Sequence, residues 1–556
     1  MKNIFSFFIL TFFSFQSFCC TTMIFTKGAT KDGSVIVTHS DDNELGDQRI
    51  VFVPPQDHKK GSKRPICATT INYPRYVGTN RGPMYDTKGE KKTEVLGYID
   101  QVEHTYGYID GNNAIVNEKQ LGVGECTNWG KHSYKPSNEM IFNIIELAQI
   151  ALERCSKAQE AIKLIGSLAE KYGYYDEAET LLFADTEEGW VFEITASPYA
   201  KGALWVAKKV PDGEIFVAAN ELRIRDISPK DKDILYSKDL FDIAKKEGWF
   251  DEKKGSFDWL PSVSPGETKH PYYALRRVWR LQSRINPDLN LSPWVKDGYT
   301  KDYPFSIKPK KKFSFQDVID LYRDHYEGTE FDQTKGLAAG PFGYPQRYLG
   351  KEDTKLVFKD KKGAWERPIS VFYTGYVTVT QLRGYLPDCI GARTWIGLDS
   401  PAESCFAPFY PCANSLPISY QTGSTAHFSH DTAWWAYNFV ANYSSIKYSY
   451  MIKDINQIQS EIENYEAKEV QKIEKKALSL YKQDPVKCKQ YLANYSTKNA
   501  NKILNKWWQL SYYLIEKYSD GYINKPKPYI EVGYPKWWRD DVGYDKGPIT
   551  YKETEH

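Results

Sequence analysis

Two groups of strand-forming runs bracket a pair of helical runs in the first 220 residues, and that order restricts the fold more than any other feature. "TTMIFTKG" and "SVIVTHS" are rich in β-branched and aromatic residues, and "ATKDG" between them is a hairpin signal. "NNAIVNEKQLGVGEC" repeats the arrangement with "NEKQ" as its turn. Apolar residues then recur at spacings of three and four in "NEMIFNIIELAQIALER", with Ser137 as the expected cap. Ser156 opens "SKAQEAIKLIGSLAEKYG", with Gln159 placed for a capping box and Gly173 as the stop. Strands return as two expected hairpins, "TLLFADTEEGWVFEI" turning at "DTEEG" and "ALWVAKKVPDGEIFVAAN" turning at "PDG". Each sheet must bury an apolar face. The order sheet, helix pair, sheet therefore predicts an α+β architecture of two packed antiparallel sheets with helices outside.

The remaining chain reads in coarser strokes. Asp42 to about Val102 is loop-like, rich in Pro, Gly and charge. Pro229 to Tyr450 mixes loops, strands and aromatic clusters, and Asn456 to Tyr518 reads as helix broken at Pro485. The Pro-rich end is expected to be extended. This divides the chain into a leader over 1–19, a main body over 20–455, a helical part of the same unit over 456–520 and a tail over 521–556. Lys plus Arg number 73 against 71 Asp plus Glu, so no basic excess points to a nucleic-acid partner. Aromatic residues make up 15% of the chain, read as broad aromatic packing with an exposed share available to a cleft.

The leader has one Lys at position 2 and then "IFSFFILTFFSFQSF". It is shorter than the roughly 20 apolar residues of a membrane span and is broken by Ser, Thr and Gln. This pattern predicts a secretory signal and a secreted or lumenal protein with no stable membrane anchor. Ser17 and Cys19 are the small residues for a cut before Cys20. Export permits disulfides, and Cys405 with Cys412 are near enough in sequence to bridge. The sequons at Asn290, Asn442 and Asn494 are candidate glycosylation sites in a eukaryotic host.

Motifs for most chemistries are missing. There is no CxxC pair, no HExxH and no GxSxG, and "GVGECTNWG" lacks the Lys-Ser/Thr of a phosphate loop. Neither a metal nor an organic cofactor is expected. The cysteines remain. Only a thiolate attacks, and a free Cys has a pKa of about 8.5, so it needs a proton acceptor. A free α-amine, with a pKa of about 7.7–8, is one such acceptor. Cleavage before Cys20 would place amine and thiol on one residue at the start of a strand. The alternatives for Cys20 are a buried inert thiol and a lipid anchor, and "FQSFCC" fits the anchor poorly.

"CTTMIFTKGATKDGSVIVTHSDD" resembles the opening of the cysteine N-terminal-nucleophile (Ntn) dipeptidases of the dipeptidase A or PepD type, to which secernins are related. "NEKQLGVGECTN", "LLFADTEEGWVFEI", "WVAKKVPDGEIFVAAN", "YYALRRVWRLQSRINP", "QLRGYLPDCIGARTWIGLDSP" and "SHDTAWWAYNFVANYS" follow in the family's order, up to about residue 520. The resemblance implies a four-layer αββα Ntn-hydrolase fold with an additional helical C-terminal region, and hydrolysis of a small peptide, usually a dipeptide. It implies Cys20 as nucleophile, Asp42 as the acidic residue near a free α-amino group, Asn220 as a binder of oxyanion and substrate, and Arg277 as an active-site arginine. His39 stands where many relatives carry Arg, which would make the nucleophile's setting more pH-sensitive. Thr127 and Asn128 both remain candidates for the second oxyanion donor, and Glu125 and Cys126 read as structural. Two other readings stay open: a related amidase acting on N-acyl amides, and a non-catalytic secreted binding protein that kept the fold.

Overall fold

In the computed structural model the described residues are 20–43, 46–68, 77–78, 81–86, 92–267, 272–348, 365–413, 415–423 and 425–547. The expected leader over 1–19, with Ser17 and Cys19, lies outside them. The first strands in chain order are β1 (Thr21–Phe25), β2 (Val35–Asp42), β3 (Val51–Val53), β4 (Tyr108–Asp110), β5 (Ala114–Asn117), β6 (Gly122–Asn128), β7 (Ala178–Ala184) and β8 (Gly189–Ala196). They are followed by β9 (Ala203–Val210), β10 (Ile215–Ala218), β11 (Ile234–Tyr236), β12 (Ser306–Ile307), β13 (Thr374–Leu382), β14 (Arg393–Leu398) and β15 (Ala407–Phe409). A seven-stranded antiparallel sheet has the order β12-β10-β1-β2-β13-β14-β15. An eight-stranded one has the order β11-β9-β8-β7-β6-β5-β4-β3. The chain is α+β.

Alternation along each strand assigns the layers. Ile24, Val37, Phe216 and Ala218 of the first sheet share a core with Leu182, Val191 and Val206 of the second. Leu181, Phe183, Phe192, Ile194 and Trp205 turn the other way, onto α1 (Ile144–Arg154) and α2 (Ala158–Tyr172). Met23, Phe25, Ile36 and Val217 pack against α3 (Ala274–Ile285) and α4 (Phe315–Tyr322). A period of two along the strand is what lets one sequence serve both faces.

The β1–β2 hairpin forms at "ATKDG", with Met23 opposite Thr38. The hairpin expected at "PDG" does not. β9 stays in the eight-stranded sheet, while β10 crosses to the seven-stranded sheet and pairs with β1, Thr22 opposite Ala218. Strand alternation says which face is apolar and leaves the partner open. Here β10 takes the open edge of β1, and Gly28 allows the turn at Gly213 to lie directly against the β1–β2 connection.

The helix pair is present with later starts than the sequence predicts. α1 is capped by Asn143, whose side chain accepts the Glu146 N–H, and not by Ser137. The preceding residues are held outside the helix because Phe142 donates its N–H to Gly173 O (3.0 Å) and accepts that of Tyr175 (3.1 Å). Ser156 makes no cap for α2; its N–H donates to the Glu160 carboxylate at 3.0 Å. Gly173 ends α2 at φ 76°, where a Cβ would run into the Glu139 carbonyl.

The region expected as loop between Asp42 and Val102 contains β3 and a ladder pairing Lys63–Cys67 with Val95–Asp100. Toward the C-terminus, α5 (Ala433–Ser444) leads to a long hairpin of α6 (Tyr448–Gln483) and α7 (Pro485–Tyr518). The break falls at Asp484, which caps α7 by accepting the Val486 N–H at 2.9 Å, with Pro485 at the first helical position. Part of the tail is helical, Lys536–Val542. Among the described residues no helix is long and apolar enough to cross a membrane. Cys405 and Cys412 do not meet: Cys405 Sγ lies 3.7 Å from Tyr437 Oη, and Cys412 Sγ lies 3.5 Å from the Glu118 carbonyl. Burial in separate contacts overrides their closeness in sequence.

Candidate active site

The two sheets lie close together beside the start of β1. Gly124 on β6 makes this possible, because a Cβ there would collide with Thr22 Oγ1 and the Thr38 carbonyl. Cys20 sits at this junction, fully buried. Thr21 N–H donates to Ser40 Oγ (2.9 Å), and Tyr322 Oη, at the end of α4, donates to the Thr21 carbonyl (2.9 Å).

Arg277 anchors the same point from α3. The start of that helix is fixed by the Glu267 carboxylate, which accepts the N–H groups of Tyr273 (2.7 Å), Ala274 (2.6 Å) and Leu275 (3.1 Å). The Arg277 guanidinium donates to the Cys20 carbonyl (2.8 Å), Thr21 Oγ1 (3.0 Å) and Asn220 Oδ1 (2.6 Å). Asn220 follows β10, so the strand crossing delivers it to Cys20. Its φ of 59° is left-handed, a region Asn tolerates better than most residues. With Oδ1 fixed by a group that only donates, the amide is oriented. Nδ2 donates to the Thr127 carbonyl (2.6 Å), and the backbone N–H donates to Cys126 Sγ (2.7 Å).

Asp42, at the end of β2, has its carboxylate engaged by Thr374 Oγ1 (2.7 Å), Ser40 Oγ (3.0 Å) and the Arg367 guanidinium. Ser40 links Asp42 to the residue next to Cys20. Thr127 Oγ1 donates to Glu125 Oε1 (2.9 Å), whereas Asn128 Nδ2 donates to the Cys126 carbonyl and Thr180 Oγ1, each at 2.9 Å, tying β6 to β7. The sequence candidates Cys20, Asn220 and Arg277 are thus one hydrogen-bonded group. Asp42 reaches it through Ser40, and Thr127 contributes its carbonyl.

Glu125, read from the sequence as structural, stands beside Cys20 and His39. Its carboxylate, a ring nitrogen of His39 and Cys20 Sγ all lie within 4.8 Å of one another. β6 pairs with β5 only at Gly122, and the His39 ring occupies the edge beyond, with Nδ1 2.9 Å from the Glu125 carbonyl and 3.2 Å from its backbone nitrogen. Burial, and after it Glu125, Asp41 and Asp42, push the Cys20 thiol well above the usual range. Burial lowers His39, partly offset by Glu125. Burial and the neighbouring Glu125 raise the Glu179 carboxyl. Sequence reasoning passed over Glu179 and Arg367. Glu179 stands opposite Thr127 only through the pairing of β6 with β7, two strands that the helix pair separates in sequence, so that register had no local signal; Arg367 lies in irregular chain and had none either.

A family model described as Peptidase family C69 matches residues 19–461. Among curated proteins, the probable dipeptidase of Salmonella dublin is 26% identical over 398 residues, 70% of this chain and 80% of that protein. The probable dipeptidase of Latilactobacillus sakei is 25% identical over 414 residues, 72% and 76% of the two chains. The dipeptidase of Bifidobacterium longum (strain NCC 2705) is 24% identical over 449 residues, 76% of each.

Proposed function

The chain belongs to peptidase family C69, and from that premise we propose that it is a secreted cysteine dipeptidase whose mature form begins at Cys20. The two sheets and their flanking helices are then the four layers of an αββα Ntn hydrolase, with α6 and α7 as its additional helical region. The observation that carries this reading is that the buried Arg277 guanidinium donates at once to the carbonyl of Cys20, the residue just before β1, and to Asn220 Oδ1. An arginine buried to hold the carbonyl of Cys20 has a use where that residue's position must be exact to within tenths of an ångström.

In the reaction the α-amine of Cys20 accepts the thiol proton, and Sγ attacks the scissile carbonyl. Asn220 Nδ2, which gives one N–H to the Thr127 carbonyl, would give its other N–H to the developing oxyanion; one such donor contributes roughly 3–4 kcal/mol. The protonated amine gives its proton to the departing amino acid, leaving a thioester. Water, deprotonated by the amine, hydrolyses that thioester and restores thiol and amine. Asp42, through Ser40, and the nearby carboxylates favour the transient ammonium.

The test compares free dipeptides with N-acyl amides, using wild-type protein and Cys20→Ala. Hydrolysis of dipeptides that depends on Cys20 supports the reading. Preference for N-acyl substrates assigns an amidase instead, and hydrolysis by neither protein leaves a binding role.

A further inference from the structure

We propose that the cluster at the nucleophile is also a binding site for a thiophilic divalent cation such as Zn²⁺, held by Cys20 Sγ, His39 and Glu125, which switches the nucleophile off while bound. The three ligand atoms lie within 4.8 Å of one another and all three side chains are buried. Around tetrahedral zinc, with bonds of about 2.0–2.3 Å, ligand atoms stand roughly 3.3–3.8 Å apart. The cluster needs a contraction of about an ångström, within reach of side-chain rotation.

His39 supplies the second observation. Its Nε2 is buried and has no hydrogen-bond partner among the described residues. Its Nδ1 lies 2.9 Å from the Glu125 carbonyl. Nδ1 is also 3.2 Å from the Glu125 backbone nitrogen, so the Glu125 main chain occupies Nδ1 and Nε2 is the ring nitrogen left to a cation; binding takes the tautomer protonated at Nδ1, with the lone pair on Nε2. Glu125 is oriented in the same manner, by Asn113 Nδ2 (3.1 Å) and Thr127 Oγ1 (2.9 Å).

The fourth donor rests on the reading of Cys20 as the first residue of the mature chain. Its amine and thiolate close a five-membered chelate ring on a metal, giving one sulfur, two nitrogens and one oxygen. That donor set suits zinc and excludes the hard cations Mg²⁺ and Ca²⁺. Coordination engages both the attacking sulfur and the base that would take its proton. Binding displaces the thiol proton to solvent, and a chelator reverses it.

Metal-free protein beginning at Cys20 is titrated with Zn²⁺ by calorimetry and with Co²⁺ by absorption spectroscopy. The site predicts one ion per chain, a thiolate-to-cobalt charge-transfer band that Cys20→Ser removes, and affinity about tenfold or more weaker in His39→Gln and in Glu125→Gln. In wild-type protein Zn²⁺ must also slow alkylation of Cys20 by iodoacetamide, a readout that needs no variant to fold. Absence of the thiolate band, or unprotected alkylation under saturating Zn²⁺, overturns the site. Dipeptide hydrolysis is measured separately in chelator. Hydrolysis without metal binding overturns the cation site and leaves the dipeptidase reading. Metal binding without hydrolysis supports the site and contradicts the dipeptidase reading.

Discussion

Cys20 is fully buried, and Glu125, Asp41 and Asp42 all oppose its ionisation, so the proposed role as nucleophile requires a proton acceptor of its own. Asn220 tests how that residue is served. Asn220→Gly keeps the left-handed backbone and removes the amide, so kcat should fall by about 10²–10³-fold, while losing the acceptor of the buried Arg277 should cost about 1–3 kcal/mol of stability. Steady-state kinetics beside thermal unfolding checks both halves. Asp399 tests electrostatics away from the site. Burial pushes its carboxyl up to about 7, from an ordinary value of 3.8. The folded state therefore favours the protonated form, and that stability is full below about pH 4 and lost as pH rises through about 7. Asp399→Asn keeps the neutral shape and tolerates the φ of 62°. Its melting temperature should match wild type at pH 4 and exceed it by a few degrees at pH 8. Blocks of resemblance singled out Cys20, Asn220 and Arg277, and the fold brings these three together, while their roles in a reaction belong to the proposal. Glu125 sat in such a block and read as structural, because its place beside Cys20 and His39 arises only when β2 and β6 come together.

At the scale of elements, the hairpin at "ATKDG" and the helix pair follow from local pattern, and the partner of β10 does not. The apolar run in "GEIFVAAN" predicts a strand, but pairing with β1 is decided by sheet packing. The same limit hid the helix starts, since Asn143 replaces Ser137 as cap only because Phe142 pairs with Gly173 and Tyr175. Gly124 reports the packing of the two sheets directly. Gly124→Ala places a methyl against Thr22 and the Thr38 carbonyl and should cost about 1–3 kcal/mol of stability. Denaturant titration gives that loss, and activity should fall more steeply than stability because the displaced strand carries Cys20.

For the molecule as a whole, the α6–α7 hairpin is joined to the seven-stranded sheet by Glu474. Its carboxylate takes Arg383 through two contacts (2.7 and 2.8 Å) and Arg393 Nη1 (2.7 Å). Glu474→Ala takes the carboxylate from two buried arginines, leaving Arg383 the Ile390 and Gly391 carbonyls and Arg393 the Gln381 amide, and should cost about 3–5 kcal/mol. Calorimetry should show one transition moved to lower temperature; a separate early transition would mean that the hairpin melts by itself. Helix over 456–520 was readable from its composition, while its attachment through Glu474 depended on residues about 80–90 positions away in sequence. The central claim is that the enzyme exists only once Cys20 is the first residue. N-terminal sequencing of purified active protein, with dipeptide hydrolysis measured on the same sample, tests this most directly. The account predicts that every active preparation begins at Cys20 and that chains retaining residues before it are inactive. Full activity in a chain that begins anywhere else would contradict it.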